Sequence, residues 1–282
     1  MKKLSIACYF CGKLFDRYES VLKKKKTKYS FCSYVCFQAD KCSKTKNQDF
    51  FEKITDEGSA YWLGFLYADG NISKEARKQK CVSLEIAKED KKHLHKYASI
   101  FGKKCSYSKR LHNGRINESC KCLITSKKMW QDLYDKNLFP NKTYIDSDLI
   151  FDHIPPEIMS NFVRGFFDGD GGISINKKTK QALIHFTSKR SKFLYKMKEN
   201  IRQDVPLGDV KMIHRTAFNK NNGNYEDTYV LAWSGINQVI RIYDYFYNNA
   251  TIYLDRKKKS ILGFIKDKKL DPYFIKNDKW KK

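Results

Sequence analysis

What this chain lacks narrows its identity first. No apolar run in its 282 residues approaches the ~20 needed to cross a bilayer. The opening MKKLSIACYFCGK has only a short apolar stretch, broken by cysteines, and makes a poor secretion signal. No flanking splicing domain is visible either, so an intein-borne protein is not expected. These absences predict a soluble, intracellular protein without a membrane partner, in the cytoplasm, an organelle or a phage-infected cell. Acidic residues are also scarce, at 31 against 56 Lys plus Arg, giving a net charge of +25. A basic excess of this size favours a polyanionic partner. The basic residues interleave with polar, strand-like residues, which favours nucleic acid over a merely solubilising surface. No segment combines a basic face with a broad apolar one, as a membrane-surface helix would. At 41% hydrophobic and 15% aromatic, the chain has ample material for a core and is not expected to be disordered.

The nine cysteines are an odd number without a secretion signal, which argues for reduced thiols. Cys8 and Cys11 form a C-x2-C pair, and Cys32 and Cys36 form a C-x3-C pair. Four close thiolates make a tetrahedral shell for structural Zn²⁺, with no position left open for water. Cys42 is an alternative ligand. A module of this size has too little core to hold itself together without such a staple. The intervening KKKKTK at 23–28 is expected as a solvated loop, and Lys41 to Gln48 reads as a polar linker.

Beyond the linker, one pattern occurs twice. Residues 61–70 read YWLGFLYADG and residues 162–171 read FVRGFFDGDG. Each apolar helical run stops at Asp-Gly. After the first come alternating residues around Val82, Leu84 and Ile86, a helix ending at Gly102 and a hairpin turning at Asn113-Gly114. A helix capped by Ser126 then runs to about Lys136. After the second come strands near 172–177 and 182–187, a helix near 189–203, and strands near 209–218 and 226–234 joined by NKNNGN. Helices near 236–247 and 252–266 follow. Both halves therefore read helix, two strands, helix, two strands, helix. The expected fold is an α+β tandem repeat, αββαββα in each half. The expected divisions are 1–48 for the cysteine module and linker, 49–154 for the first half, and 155–282 for the second half with a basic tail.

Gly64 and Ala68 lie four residues apart, as do Gly165 and Gly169. Such positions share a helix face, and small residues there let two backbones approach. Packing along these faces would bring the two carboxyl ends together, with Asp69 beside Asp170. Two carboxylates at two helix C-termini are unfavourable unless a cation joins them. Mg²⁺ suits an all-oxygen site, and paired metals on shared carboxylates serve phosphodiester hydrolysis.

WLGFLYADG at 62–70 and VRGFFDGDG at 163–171 resemble the two signature motifs of single-chain LAGLIDADG homing endonucleases. The resemblance covers roughly residues 50–267. It implies a pseudo-two-fold fold with the motif helices at the centre and two saddle-shaped antiparallel sheets on DNA. It also implies Mg²⁺ (or Mn²⁺) at Asp69 and Asp170. The sixth motif position is often Asp in the family; here it is Asp168 in one copy and Tyr67 in the other. The family's basic residue near the site maps to Lys142, in PNKT, and to Lys257, in YLDRKKKS. The implied partner is double-stranded DNA with a long recognition site, bound by a monomer. Candidate DNA contacts are Ser73, Lys74, Ser83, Glu85, Ser106, Ser108, Arg110 and Lys121 in the first half. In the second half they are Ser174, Asn176, Lys178, Gln181, His185, Lys211 and Arg215. The expected activity is metal-dependent double-strand cleavage. The alternative is an RNA-splicing maturase with an intron RNA partner, or a non-cleaving DNA-binding protein of the same fold. The cysteine module resembles small cysteine-pair modules appended to some mobile-element nucleases. His93, His95, His112, His153 and His214 show no ligand spacing.

Overall fold

The computed structural model describes residues 2–24, 29–112, 115–176, 178–179, 181–219 and 223–268. Several expectations fall wholly or partly outside these residues: most of the KKKKTK loop, the Asn113-Gly114 tip, the middle of NKNNGN and the basic tail. The side chain of Cys42 is likewise outside them.

An amino-terminal hairpin, β1 (Lys3–Ala7) with β2 (Leu14–Tyr18), leads through the short α1 (Glu19–Lys23) to α2 (Tyr34–Ser43). The first half follows as α3 (Glu57–Asp69), β3 (Gly70–Ile72), β4 (Cys81–Ala87), α4 (Lys91–Ile100), β5 (Ser106–His112), β6 (Arg115–Thr125) and α5 (Lys127–Asp135). The second half is α6 (Met159–Asp170), β7 (Gly171–Asn176), β8 (Gln181–Ser188), α7 (Ser191–Asp204), β9 (Ile213–Asn219), β10 (Asn224–Ser234), α8 (Ile236–Tyr247) and α9 (Asp255–Asp267). The two main sheets have matching antiparallel orders, β3-β4-β6-β5 and β7-β8-β10-β9. The fold is thus the expected α+β tandem repeat, with α9 appended to the second half.

Each half begins with a helix that buries most of its surface. Asp56 caps α3, accepting from the Ser59 amide at 2.9 Å, and every residue from Ser59 to Tyr67 is buried. A one-sided amphipathic stripe would not suffice here, because α3 packs on its own sheet and on α6. The backbones meet at glycine. A Cβ on Gly64 would lie 2.0 Å from the Phe162 carbonyl oxygen, and one on Gly165 would lie 2.0 Å from that of Tyr61. Nearer the carboxyl ends, a Cβ on Gly169 would lie 2.4 Å from that of Ala68. All four small residues therefore line the helix contact.

The glycines that follow the two acids act differently from an ordinary helix stop. Gly70 and Gly171 are extended, with φ of -76° and -77°, so no left-handed turn is involved. Space is what demands glycine. A Cβ on Gly70 would lie 2.5 Å from the Leu66 carbonyl oxygen, and one on Gly171 would lie 2.2 Å from the Phe167 ring. The chain passes directly from each helix into the first strand of its sheet, leaving the acid at the junction.

Residues 45–48 are docked rather than a free linker. The Thr45 hydroxyl donates to the Thr125 carbonyl at 3.0 Å, and the Asn47 side chain donates to that of Ile100 at 2.8 Å. The Lys46 amide donates to the Phe101 carbonyl at 3.2 Å. Ser126, which caps α5, donates to Gln48 at 2.7 Å. These polar residues satisfy the ends of α4 and β6.

Gly165→Ala should lower stability by about 1–3 kcal/mol, the range for overpacking a filled contact. Gly263→Ala, in α9 with nothing within 4 Å of the new carbon, should gain about 0.5–1 kcal/mol. Thermal or urea unfolding of the two variants checks both signs.

Candidate active site

Asp69 and Asp170 close α3 and α6 at the same end of the helix pair. Both reach solvent, although protein surrounds them on most sides. That desolvation, and then the charge of Asp170, push the Asp69 carboxyl up to about 6. Burial likewise raises Asp170, opposed by Lys142, Arg190 and Lys257.

Two buried lysines face the same pole. Lys142, in a 3-10 turn at Lys142–Tyr144, donates to the Gly70 carbonyl. Lys257, in the first turn of α9, donates to the carbonyls of Phe167, Gly169 and Gly171 at 2.6, 3.0 and 2.6 Å. Burial draws both ammonium groups down to about 8, against the pull of the carboxylates. The carbonyls that end each helix thus already hold a cationic nitrogen, as the negative pole of a helix favours. The donor set suits a further hard cation: two carboxylates, destabilised by desolvation, among carbonyl oxygens.

A third buried base, Arg190, has no place in either motif. It precedes α7, donates to the Tyr67 carbonyl at 3.3 Å and sits 4.2 Å from the centre of the Tyr67 ring. Its charge helps hold the Asp170 carboxyl down. The corresponding position before α4 is Asp90, paired with Arg256 at 2.9 Å, and Asp90 adds to the rise at Asp69. Aligning the two halves at these helix starts is the one sequence signal that would have singled out Arg190.

Asp168 turns away from the pole. It is buried and accepts from the Tyr61 and Tyr247 hydroxyls at 2.8 and 3.1 Å and from the Leu254 amide at 2.7 Å. It therefore secures the entry to α9, which carries Lys257. Tyr67, its counterpart, stacks under Arg190 instead.

Most candidate contact residues share one face of each sheet. On the first sheet, Ser83, Glu85, Ser106, Ser108, Arg110 and Lys121 alternate with the buried Val82, Leu84, Cys120 and Cys122. Glu85 is not free on this face: Ser119 donates to it at 2.6 Å, and Lys121 and Arg110 lie at 3.3 and 3.5 Å. On the second sheet, Ser174, Asn176, Gln181, His185 and Arg215 alternate with Ala182, Ile184 and Phe186. His185 lies over Gly172, where a Cβ would meet its Nε2 at 2.6 Å, and so borders the acid pair. Lys74, Lys178 and Lys211 lie outside the strands. Ser73 is turned inward, accepting from the Cys81 amide at 3.1 Å and donating to the Gln79 carbonyl at 3.2 Å.

In the amino-terminal module, the sulfurs of Cys8, Cys11, Cys32 and Cys36 lie within 4.8 Å of one another. Gly12, at φ +73°, donates its amide to the Cys8 carbonyl at 2.9 Å and turns the chain around the sulfur. Burial would raise the Cys8 thiol, but the amides of Cys11, Cys32 and Phe10 draw it down to about 6. The geometry fits a thiolate-bound Zn²⁺.

Residues 157–240 match the family described as a LAGLIDADG-like domain. A search of curated proteins finds no match. Among solved structures, the homing endonuclease I-WcaI bound to its DNA recognition sequence is similar, with 18% identity and a TM-score of 0.51. The match covers 76% of this chain and 91% of that one. The I-LtrWI LAGLIDADG homing endonuclease bound to target DNA is 13% identical over 82% of this chain and 93% of that one, with a TM-score of 0.43. The likeness to the I-WcaI structure and the two matching halves give the chain the tandem LAGLIDADG fold, and residues 157–240 carry a LAGLIDADG-like domain. No helix among the described residues is long and apolar enough to cross a membrane.

A carboxyl raised in the fold opposes folding once it ionises, so its penalty is absent below pH 3.8 and complete above about 6. Asp69→Asn should therefore raise stability at pH 7, by about 1 kcal/mol after allowing for solvent screening. The gain should vanish below pH 4. Mg²⁺ should raise the Tm of the native chain at pH 7 and leave the Asp69→Asn/Asp170→Asn double variant unmoved. Differential scanning fluorimetry across pH, with and without Mg²⁺, checks all three.

Proposed function

We propose that this chain is a site-specific, divalent-metal-dependent endonuclease that hydrolyses one phosphodiester in each strand of double-stranded DNA. The observation that carries this reading is the pairing of Asp69 with Asp170 at the end of two helices in backbone contact, each half adding a buried lysine. Mg²⁺ or Mn²⁺ on these carboxylates would polarise water and stabilise the leaving oxygen. The chain's own residues do the rest. Asp69 and Asp170 bind the cations and set the position of the cut in each strand. Lys142 and Lys257, fixed on helix-end carbonyls, place positive charge where a scissile phosphate becomes more anionic. The open faces of the two sheets receive the duplex, with Arg110 and Arg215 suited to guanine and Asn176 and Gln181 to adenine. Other polar and basic side chains there meet phosphate. One chain supplies both acids, so a monomer suffices.

Four cysteines hold a structural Zn²⁺ in the amino-terminal module, which extends the basic surface from a fixed position because residues 45–48 dock it. Cys11→Ser with Cys36→Ser should remove this zinc and weaken DNA binding. A gel-shift titration alongside a zinc assay checks both.

The central test is cleavage of supercoiled plasmids carrying a library of candidate sites, beginning with uninterrupted versions of the DNA around the gene. Asp69→Asn or Asp170→Asn should cut at least ~100-fold more slowly, the scale for losing a charge-stabilising group, while still binding. Full activity in both variants would sink the assignment. Tight binding of intron RNA with no duplex cut would favour the splicing reading.

A further inference from the structure

Among the described residues, one group of side chains able to ligate a metal lies outside both the acid pair and the amino-terminal module. His95 lies on α4, Cys105 just before β5, and Cys120 in β6, and their ligand atoms fall within 4.8 Å of one another. No two are neighbours in sequence, and no spacing pattern announces them. Cys120 is fully buried on the helix-facing side of the first sheet, opposite the face proposed for DNA. A cleft of about 370 Å³ opens beside the group, lined by His95, Cys105 and Tyr107 among others. The Tyr107 hydroxyl is bonded to His95 Nε2 at 2.9 Å. The same hydroxyl also meets the Cys120 sulfur, so Tyr107 lies against two of the three donors.

We propose that His95, Cys105 and Cys120 form a second thiophilic metal site, taking Zn²⁺ through one imidazole and two thiolates. A fourth position is left facing the cleft. This donor set matches soft N/S coordination rather than the hard, all-oxygen chemistry of Asp69 and Asp170. Binding one Zn²⁺ releases the two thiol protons, so uptake strengthens as pH rises. The ion would tie α4 to both strands at the outer edge of the first sheet. Residues 46 and 47 dock on the carbonyls of Phe101 and Ile100 at the end of that same helix. The site would therefore stiffen the support on which the amino-terminal module rests.

The test uses the full chain, reduced and stripped of metal, then titrated with Zn²⁺ alone and counted by a chromophoric chelator. His95→Gln, at an exposed position, and Cys105→Ala should each bind one ion fewer than the native chain. Their metal-free Tm values should stay close to the native one. The readout is the difference of one ion, so it holds whether or not Cys8, Cys11, Cys32 and Cys36 bind zinc. In Co²⁺-loaded protein, the same variants should lose part of the thiolate charge-transfer absorption. Equal zinc counts in native and variant chains would overturn the proposal. So would a Cys105–Cys120 disulfide forming in place of ion uptake, seen as a loss of two titratable thiols.

Discussion

The approach of α3 to α6 at Gly64 and Gly165 is the constraint on which the rest depends. Each glycine accommodates a backbone oxygen of the other helix, where any side chain would collide. A helix pair held this closely has little freedom to slide, because the contact is backbone against backbone rather than flexible side chain against side chain. That fixes the relation between the carboxyl ends, and with it the relation of Asp69 to Asp170. It also fixes the two sheets, since each helix runs straight into the first strand of its own sheet through an extended glycine. Helix contact, acid pair and sheet placement are one geometric fact expressed at three scales.

The two halves share this frame but are charged differently around it. Arg190 stands near Asp170, whereas the matching position near Asp69 holds Asp90, already paired with Arg256. Asp168 secures the start of α9, and its counterpart Tyr67 forms an aromatic bed for Arg190. In each case one buried polar group is replaced by a different device that satisfies its neighbours in another way. A single chain permits such divergence, because neither half has to serve in both positions.

Much of this was legible in the sequence, for identifiable reasons. The tandem order of elements followed from periodicity, turn residues and the repeated Asp-Gly. The helix contact followed from small residues at a spacing of four. Lys142 and Lys257 are different, for nothing local distinguishes them among 56 Lys and Arg; only likeness to family segments pointed there. Arg190 and the His95 cluster were missed because their partners are assembled by tertiary packing, across helices and strands distant in sequence. Residues 45–48 read as a linker because they are polar. Polarity alone does not separate a residue solvated by water from one that satisfies the free carbonyl at the end of a helix.

The helix ends carry the last step. Two helices ending side by side concentrate carbonyl oxygens and two carboxylates in a small volume, an arrangement that repels itself. The fold does not relieve it by moving the acids apart, since the glycine contact forbids that. It brings in Lys142 and Lys257, burying both and spending their donors on the terminal carbonyls. The carbonyls are thereby satisfied, while the two carboxylates remain raised and open to solvent. What persists at the pole is a pair of raised carboxylates whose charge the nearby Lys142, Lys257 and Arg190 offset only in part, in a chain that is otherwise strongly basic. On the proposed function, a DNA backbone reaching this pole would meet two carboxylates, and a small cation shared between them and the phosphate would remove the repulsion.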